Sequence, residues 1–181
     1  MPVNKFKQAV AAIFTSKLIY CITVYGGIWN IPKSTPYRHT TISKEDMRKL
    51  QILQNKAMRI ETRSDYETPT KTLLEKCNQL SVHQLVAYHT AVQTFKIMTT
   101  QLPTYHYTRF QSSIKTLREN RRNTEEIFSI HFKLNHGKST FFCQGSLLWN
   151  AIPEHLKNST NVKLFKKGCK KWIGDTISIR P

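Results

Sequence analysis

From position 77 to position 95 the chain carries no Asp, Glu, Lys or Arg, although charged residues make up 22% of it. Within residues 81–98, SVHQLVAYHTAVQTFKIM, the side chains Val82, Leu85, Val86, Tyr88, Val92, Phe95 and Ile97 recur at helical spacing. Together they cover more than half of a helix's circumference. Ser81 is a good N-cap, because its hydroxyl accepts a backbone N–H that the first turn leaves unpaired. Such a helix has little surface to give to water, so other elements must pack around it. It is too rich in Gln, Thr and His to span a membrane, where unsatisfied polar groups are costly. The pattern predicts a central core helix over about residues 81–99.

At 181 residues the chain is long enough for one sizeable core, or for one domain with a short extra segment. Its net charge of +17 and pI near 10.0 point to a polyanionic partner, nucleic acid ahead of an acidic membrane surface. General solubility is the plainer use of the same charge. The four cysteines, Cys21, Cys77, Cys143 and Cys169, lie 26 to 66 residues apart and form no CxxC pair. No zinc finger or knuckle can be written from them, and no metal or cofactor is expected. Lys5, Lys7 and Lys17 interrupt the opening apolar pattern, so no signal peptide is expected. The expectation is an intracellular protein of nucleus or cytoplasm, not secreted, with buried reduced thiols and no membrane partner.

Residues 5–25 open with Phe6, Ala9, Val10, Ile13, Phe14 and Leu18, an amphipathic helical stripe that stops at Gly26-Gly27. Trp29 and a loop through Pro32, Ser34 and Pro36 follow. Residues 43–63 are predicted as a two-faced helix, with Met47, Leu50, Leu53, Ala57 and Ile60 as its buried stripe. Lys44, Arg48, Lys49, Lys56, Arg59 and Arg63 collect on a different arc. Like charges crowded there suit an anion, and they serve equally as a solvated helix face. Thr68-Pro69 starts a short helix through Leu73, Leu74 and Cys77. His83 and His89, six positions apart, point away from each other and read as structural histidines.

Tyr105, Tyr107 and Phe110 interleave with His106 and Arg109, and Arg118, Arg121 and Arg122 cluster soon after. Aromatics beside cations suit single-stranded nucleic acid, or simply anchor a loop on the core. IFSIHFK (127–133) and STFFC (139–143) are β-favouring runs joined by Asn135-His136-Gly137, which predicts a small hairpin over about residues 127–143. Residues 145–150 are predicted as a short helix ended by Ile152-Pro153. The final helix, from the cap cluster Asn158-Ser159-Thr160 to about residue 173, buries Val162, Phe165, Cys169 and Trp172. Lys163, Lys166, Lys167, Lys170 and Lys171 take its other side, with no acidic residue from 156 to 174. The fold class expected is mainly α, a helical domain around the central uncharged helix with one β-hairpin and a basic C-terminal helix.

Four segments, in order, carry a resemblance: YCITVYGGIW (20–29), KLQILQNKAMRI (49–60), TPTKTLLEKCNQLSVHQLVAYHTAVQTFK (68–96), and STFFCQGSLLWNAIPEHLKN with FKKGCKKWI (139–158 and 165–173). Together they resemble the C-terminal region of non-LTR retrotransposon reverse transcriptase polyproteins of the jockey and chicken-repeat kind. Leu50, Gln51, Gln54, Asn55, Lys56, Ala57 and Arg59 fit that family's helix after the thumb. Gly145, Leu148, Trp149, Asn150, Ile152 and Pro153 fit its G-x-x-L-W-N-x-L-P motif, with Ile in place of Leu. Phe165, Lys166, Lys170 and Trp172 fit its closing basic helix.

The resemblance implies two parts, residues 1–32 as the end of a thumb-like helical segment and 33–181 as a basic helical C-terminal domain. It implies an accessory part that handles RNA or DNA beside the upstream palm and thumb, with Trp29, Gly145, Leu148, Trp149, Asn150, Pro153, Phe165 and Trp172 as structural motif residues. A polymerase palm needs paired aspartates to hold its metal ions. This chain's three aspartates, Asp46, Asp65 and Asp175, are isolated, and no nuclease cluster can be assembled. The expectation is therefore a non-catalytic module that grips RNA or DNA phosphates through its basic helix faces. The alternatives are a scaffold domain packing on the polymerase core, with Trp29 and Trp149 as anchors, and a non-functional retroelement remnant.

Overall fold

The computed structural model describes residues 11–20, 22–26, 28, 31, 42–111, 127, 140–177 and 179. A π-helical turn, Ala11–Thr15, leads into α1 (Ser16–Ile19) and α2 (Ile22–Tyr25). Then come α3 (Lys44–Thr62), α4 (Thr70–Cys77), α5 (Val82–Thr100) and α6 (104–111). The chain continues through α7 (Phe141–Ala151), α8 (Glu154–Lys157) and α9 (Val162–Thr176). Among the described residues the fold is all helical.

The uncharged run is the hub. α5 packs against α9, α7, α2 and α3, and it buries residues on every side, from Val82, Val86 and Ala87 to Phe95 and Ile97. Ser81 caps it: Oγ accepts the Gln84 N–H at 3.2 Å while Gln84 Oε1 accepts the Ser81 N–H at 3.1 Å, a reciprocal capping box. At the other end Phe95 stacks on Phe165 of α9 with ring centroids 4.1 Å apart. Leu18, Ile22, Ile28 and Ile31 from the first segment join the same apolar core.

α7 reaches α5 so closely at Gly145 that a Cβ there would lie 2.9 Å from Oγ1 of the buried Thr94. Gly168, which weakens α9 by on the order of 1 kcal/mol relative to Ala, lets Leu156 of α8 settle on the helix. A Cβ at 168 would lie 2.5 Å from Leu156 Cδ2.

Two expectations are corrected. The apolar run at 141–143 is the first turn of α7, not a strand: Phe142 stacks on Phe110 at 4.8 Å and Cys143 is fully buried. A short apolar run buried on all sides carries no periodicity that separates strand from helix. The rest of the expected hairpin, 128–139, lies outside the described residues.

The second correction is the rotation of α3. It buries Met47, Gln54, Asn55 and Met58, while Leu53 and Ile60 stand 48% and 63% exposed. The cause lies in the connection between α4 and α5, whose backbone groups need partners in a buried place. Gln51 Oε1 accepts the Val82 N–H at 2.9 Å, one of the first-turn donors of α5. Gln54 Nε2 donates to the Leu80 carbonyl at 2.8 Å, and Asn55 Nδ2 to Thr70 Oγ1 at 2.8 Å. Amide side chains therefore face inward.

Candidate nucleic-acid interface

α9 is sorted by side. Phe165, Cys169 and Ile173 are buried against α5, and burial pushes the Cys169 thiol up to about 12, so it stays protonated. Lys163, Lys166, Lys167 and Lys171 are exposed, and no carboxylate among the described residues pairs with them. The helix starts at Asn161, whose Oδ1 accepts the Lys163 N–H at 2.8 Å. The expected cap cluster lies just before it.

Lys170 has a different task. Its Nζ donates to the Asn78 carbonyl at 2.7 Å and to Asn78 Oδ1 at 3.2 Å, closing the C-terminal end of α4 onto α9. A cavity of about 730 Å³ opens beside this tie, lined by Lys71, Lys167, Lys170 and Lys171 together with Glu75, Gln84 and Asp175. A second cavity of about 450 Å³, between α3 and α5, is lined by Lys44, Arg48, Gln51 and the buried His83. Ile179 lines both. The cations at the start of α3 and those of α9 thus each line a cavity that Ile179 borders, and Gln84 Nε2 donates to the Ile177 carbonyl at 2.8 Å.

The α3 cations do not form a single group, and Arg48 is among those already paired. Arg48 and Lys49 make exposed pairs with Glu45 at 3.2 Å and Asp46 at 3.3 Å. The Ser43 hydroxyl, then Lys49, hold the Asp46 carboxyl below its usual range. Arg59 is half-buried: Nη2 donates to the Thr68 carbonyl at 3.1 Å and the guanidinium lies 5.1 Å from the Tyr66 ring centroid. It shapes the turn after α3. Arg63 is the left-handed C-cap residue, and Lys49 and Lys56 sit on the outer side beside Leu53 and Ile60. Arg118, Arg121, Arg122 and Trp29 lie outside the described residues.

On α6, Phe110 is fully buried and the Arg109 guanidinium lies 4.6 Å from the Phe142 ring centroid, which favours the loop-anchoring role; Tyr105 remains 67% exposed. The motif residues of α7 are structural. Leu148 and Trp149 are buried, so Trp149 is no surface anchor. Asn150 clamps the Ile127 backbone, accepting its N–H and donating to its carbonyl, both at 2.9 Å. Phe165 is fully buried, Trp172 half-buried, and Pro153 caps α8.

Two cations of this surface were not singled out from the sequence. Lys71 reaches the α9 cavity from α4, and Lys96, with Lys166, depresses the pKa of the half-buried His89, although loss of solvation is the larger cause. Lys96 ends the uncharged run, but nothing in one dimension sets it beside α9. With the four exposed α9 lysines they make six exposed cations on or next to this helix. Among the described residues, no group of three or more His, Cys, Asp or Glu is placed to hold a metal, and no helix is long and apolar enough to cross a membrane. The chain matches no protein-family model, no curated protein and no solved structure.

Proposed function

We propose that this chain is a non-catalytic nucleic-acid-binding module, related through the resemblance above to the C-terminal region of a non-LTR retrotransposon reverse transcriptase. The observation that carries it is the outer side of α9, where Lys163, Lys166, Lys167 and Lys171 stand exposed without carboxylate partners among the described residues. Lysines of this kind meet phosphates as mobile point charges, so the contact is with the backbone and largely independent of sequence. Lys71 shares a cavity with the α9 lysines, Lys96 acts with Lys166 on His89, and Lys44 and Arg48 line the second cavity that Ile179 borders. The ligand is RNA or DNA held by its phosphates.

Reversing Lys166, Lys167 and Lys171 to Glu, with Lys170 kept to preserve its tie to Asn78, tests the reading on labelled single-stranded RNA and duplex DNA. Loss of binding with unchanged circular dichroism supports it; unchanged affinity at physiological salt refutes it. A second reading, an interaction domain that packs on an upstream palm and thumb, is favoured by Ile13, Tyr20 and Val24, which are 66%, 76% and 68% exposed. A separately expressed palm–thumb fragment should then form a complex in sedimentation.

A further inference from the structure

The rotation of α3 leaves an apolar seam on its outer side. Leu53 and Ile60, 48% and 63% exposed, are one heptad apart, and the exposed Ile52 flanks them. Lys49 and Lys56, also a heptad apart, alternate with them along the helix, so the series 49, 53, 56, 60 is spaced by 4, 3 and 4 residues. That is the spacing at which a helix presents one continuous edge to a second helix. Two branched aliphatic side chains standing in water gain from apolar cover, which phosphates do not supply.

The charges select the occupant. Each lysine sits next to an aliphatic layer, and among the described residues the ion-pair partner of Lys49 is the exposed Asp46, at 3.3 Å. A partner helix laid on this edge must therefore offer aliphatic side chains opposite Leu53 and Ile60 and carboxylates opposite Lys49 and Lys56. A second copy is disfavoured, because it brings together two chains of net charge +17. We infer that this face of α3 is a docking edge for an acidic amphipathic helix of another protein, a function separate from phosphate binding by α9.

The test uses a synthetic helix of about three heptads with Leu at every a and Glu at every d position, and a control with Lys at every d. The Glu peptide should bind the intact chain and the Lys peptide should not. Leu53→Asp and Ile60→Asp, both at exposed positions, should each weaken binding about tenfold or more. Lys49→Glu with Lys56→Glu should reverse the preference to the Lys peptide, a gain that misfolding cannot imitate. No binding of the Glu peptide, equal binding of both peptides, or retention by the Leu53→Asp variant overturns the inference. So does a dimer of the chain alone that Leu53→Asp dissociates, which would make a second copy the occupant.

Discussion

Exchanging the characters of positions 53 and 54 tests the orientation of α3 directly. Gln54 is 2% exposed, donates to the Leu80 carbonyl at 2.8 Å and accepts from Gln51 Nε2 at 2.9 Å. Gln54→Leu keeps the volume but leaves the Leu80 carbonyl buried without that donor, and it removes one of the acceptors of Gln51 Nε2, which keeps Asn55 Oδ1 at 3.0 Å. An unsatisfied buried acceptor costs about 1–3 kcal/mol. For a chain of this length each kcal/mol lowers Tm by roughly 2–4 °C. Leu53→Gln, by contrast, changes a side chain that is 48% exposed, and surface substitutions usually stay within about 0.5 kcal/mol. Urea unfolding followed by circular dichroism at 222 nm (the usual helix signal) reads both. The structure predicts that Gln54→Leu is the costly change and Leu53→Gln nearly silent. The reverse order would mean that α3 buries the stripe its periodicity suggests, and the account of its polar lock would fall.

Other outcomes follow from single contacts. Gly145→Ala, which sets a methyl 2.9 Å from Thr94 Oγ1, should destabilise by about 1–3 kcal/mol in the same assay, and Thr94→Ala should recover part of the loss. Asn150→Ala removes both hydrogen bonds to the Ile127 backbone and should cost about 1–3 kcal/mol, whereas a silent change would mean that water replaces the clamp. His89 has its pKa lowered in the fold from the usual 6.5, by burial first and then by Lys166 and Lys96. As pH falls below 6.5 the unfolded chain takes up this proton before the native one does. Stability from His89 is therefore whole above that pH and declines toward the lower native value, and phosphates docked by Lys166 should raise the native pKa. An NMR titration that finds His89 at or above its ordinary value without ligand would contradict its burial beside those lysines.

What the sequence makes legible here is the arrangement that depends on charge. An uncharged stretch amid a chain of net charge +17 has to be the hub, and α5 is. α9 could be read for the same reason, because five lysines cannot share the side that buries Phe165 and Cys169. α3 could not. Its inward side is chosen by Leu80 and Val82, 26 and 31 positions away from the glutamines that satisfy them, and hydropathy places those glutamines in water. Three of the seven residues that carried the resemblance in α3, Gln51, Gln54 and Asn55, make this lock. Phe141 and Phe142 misled in another way, since their partners on α6, His106 and Phe110, fix them as helix only in three dimensions. At the candidate interface the α9 lysines were readable, but the anchoring task of Lys170 and the adjacency of Lys71 and Lys96 depend on packing.

On the reading proposed above, the basic side of α9 holds phosphates. The most direct measurement is the affinity of the purified chain for labelled duplex DNA and single-stranded RNA as salt is raised from about 50 to 200 mM. Six phosphates, one for each exposed cation on or beside α9, give a log–log slope on duplex DNA of about −5, or roughly a thousandfold loss over that range. That slope, reduced by about one for each lysine neutralised, is the predicted result. A folded chain whose binding is absent, or does not respond to salt, would contradict it.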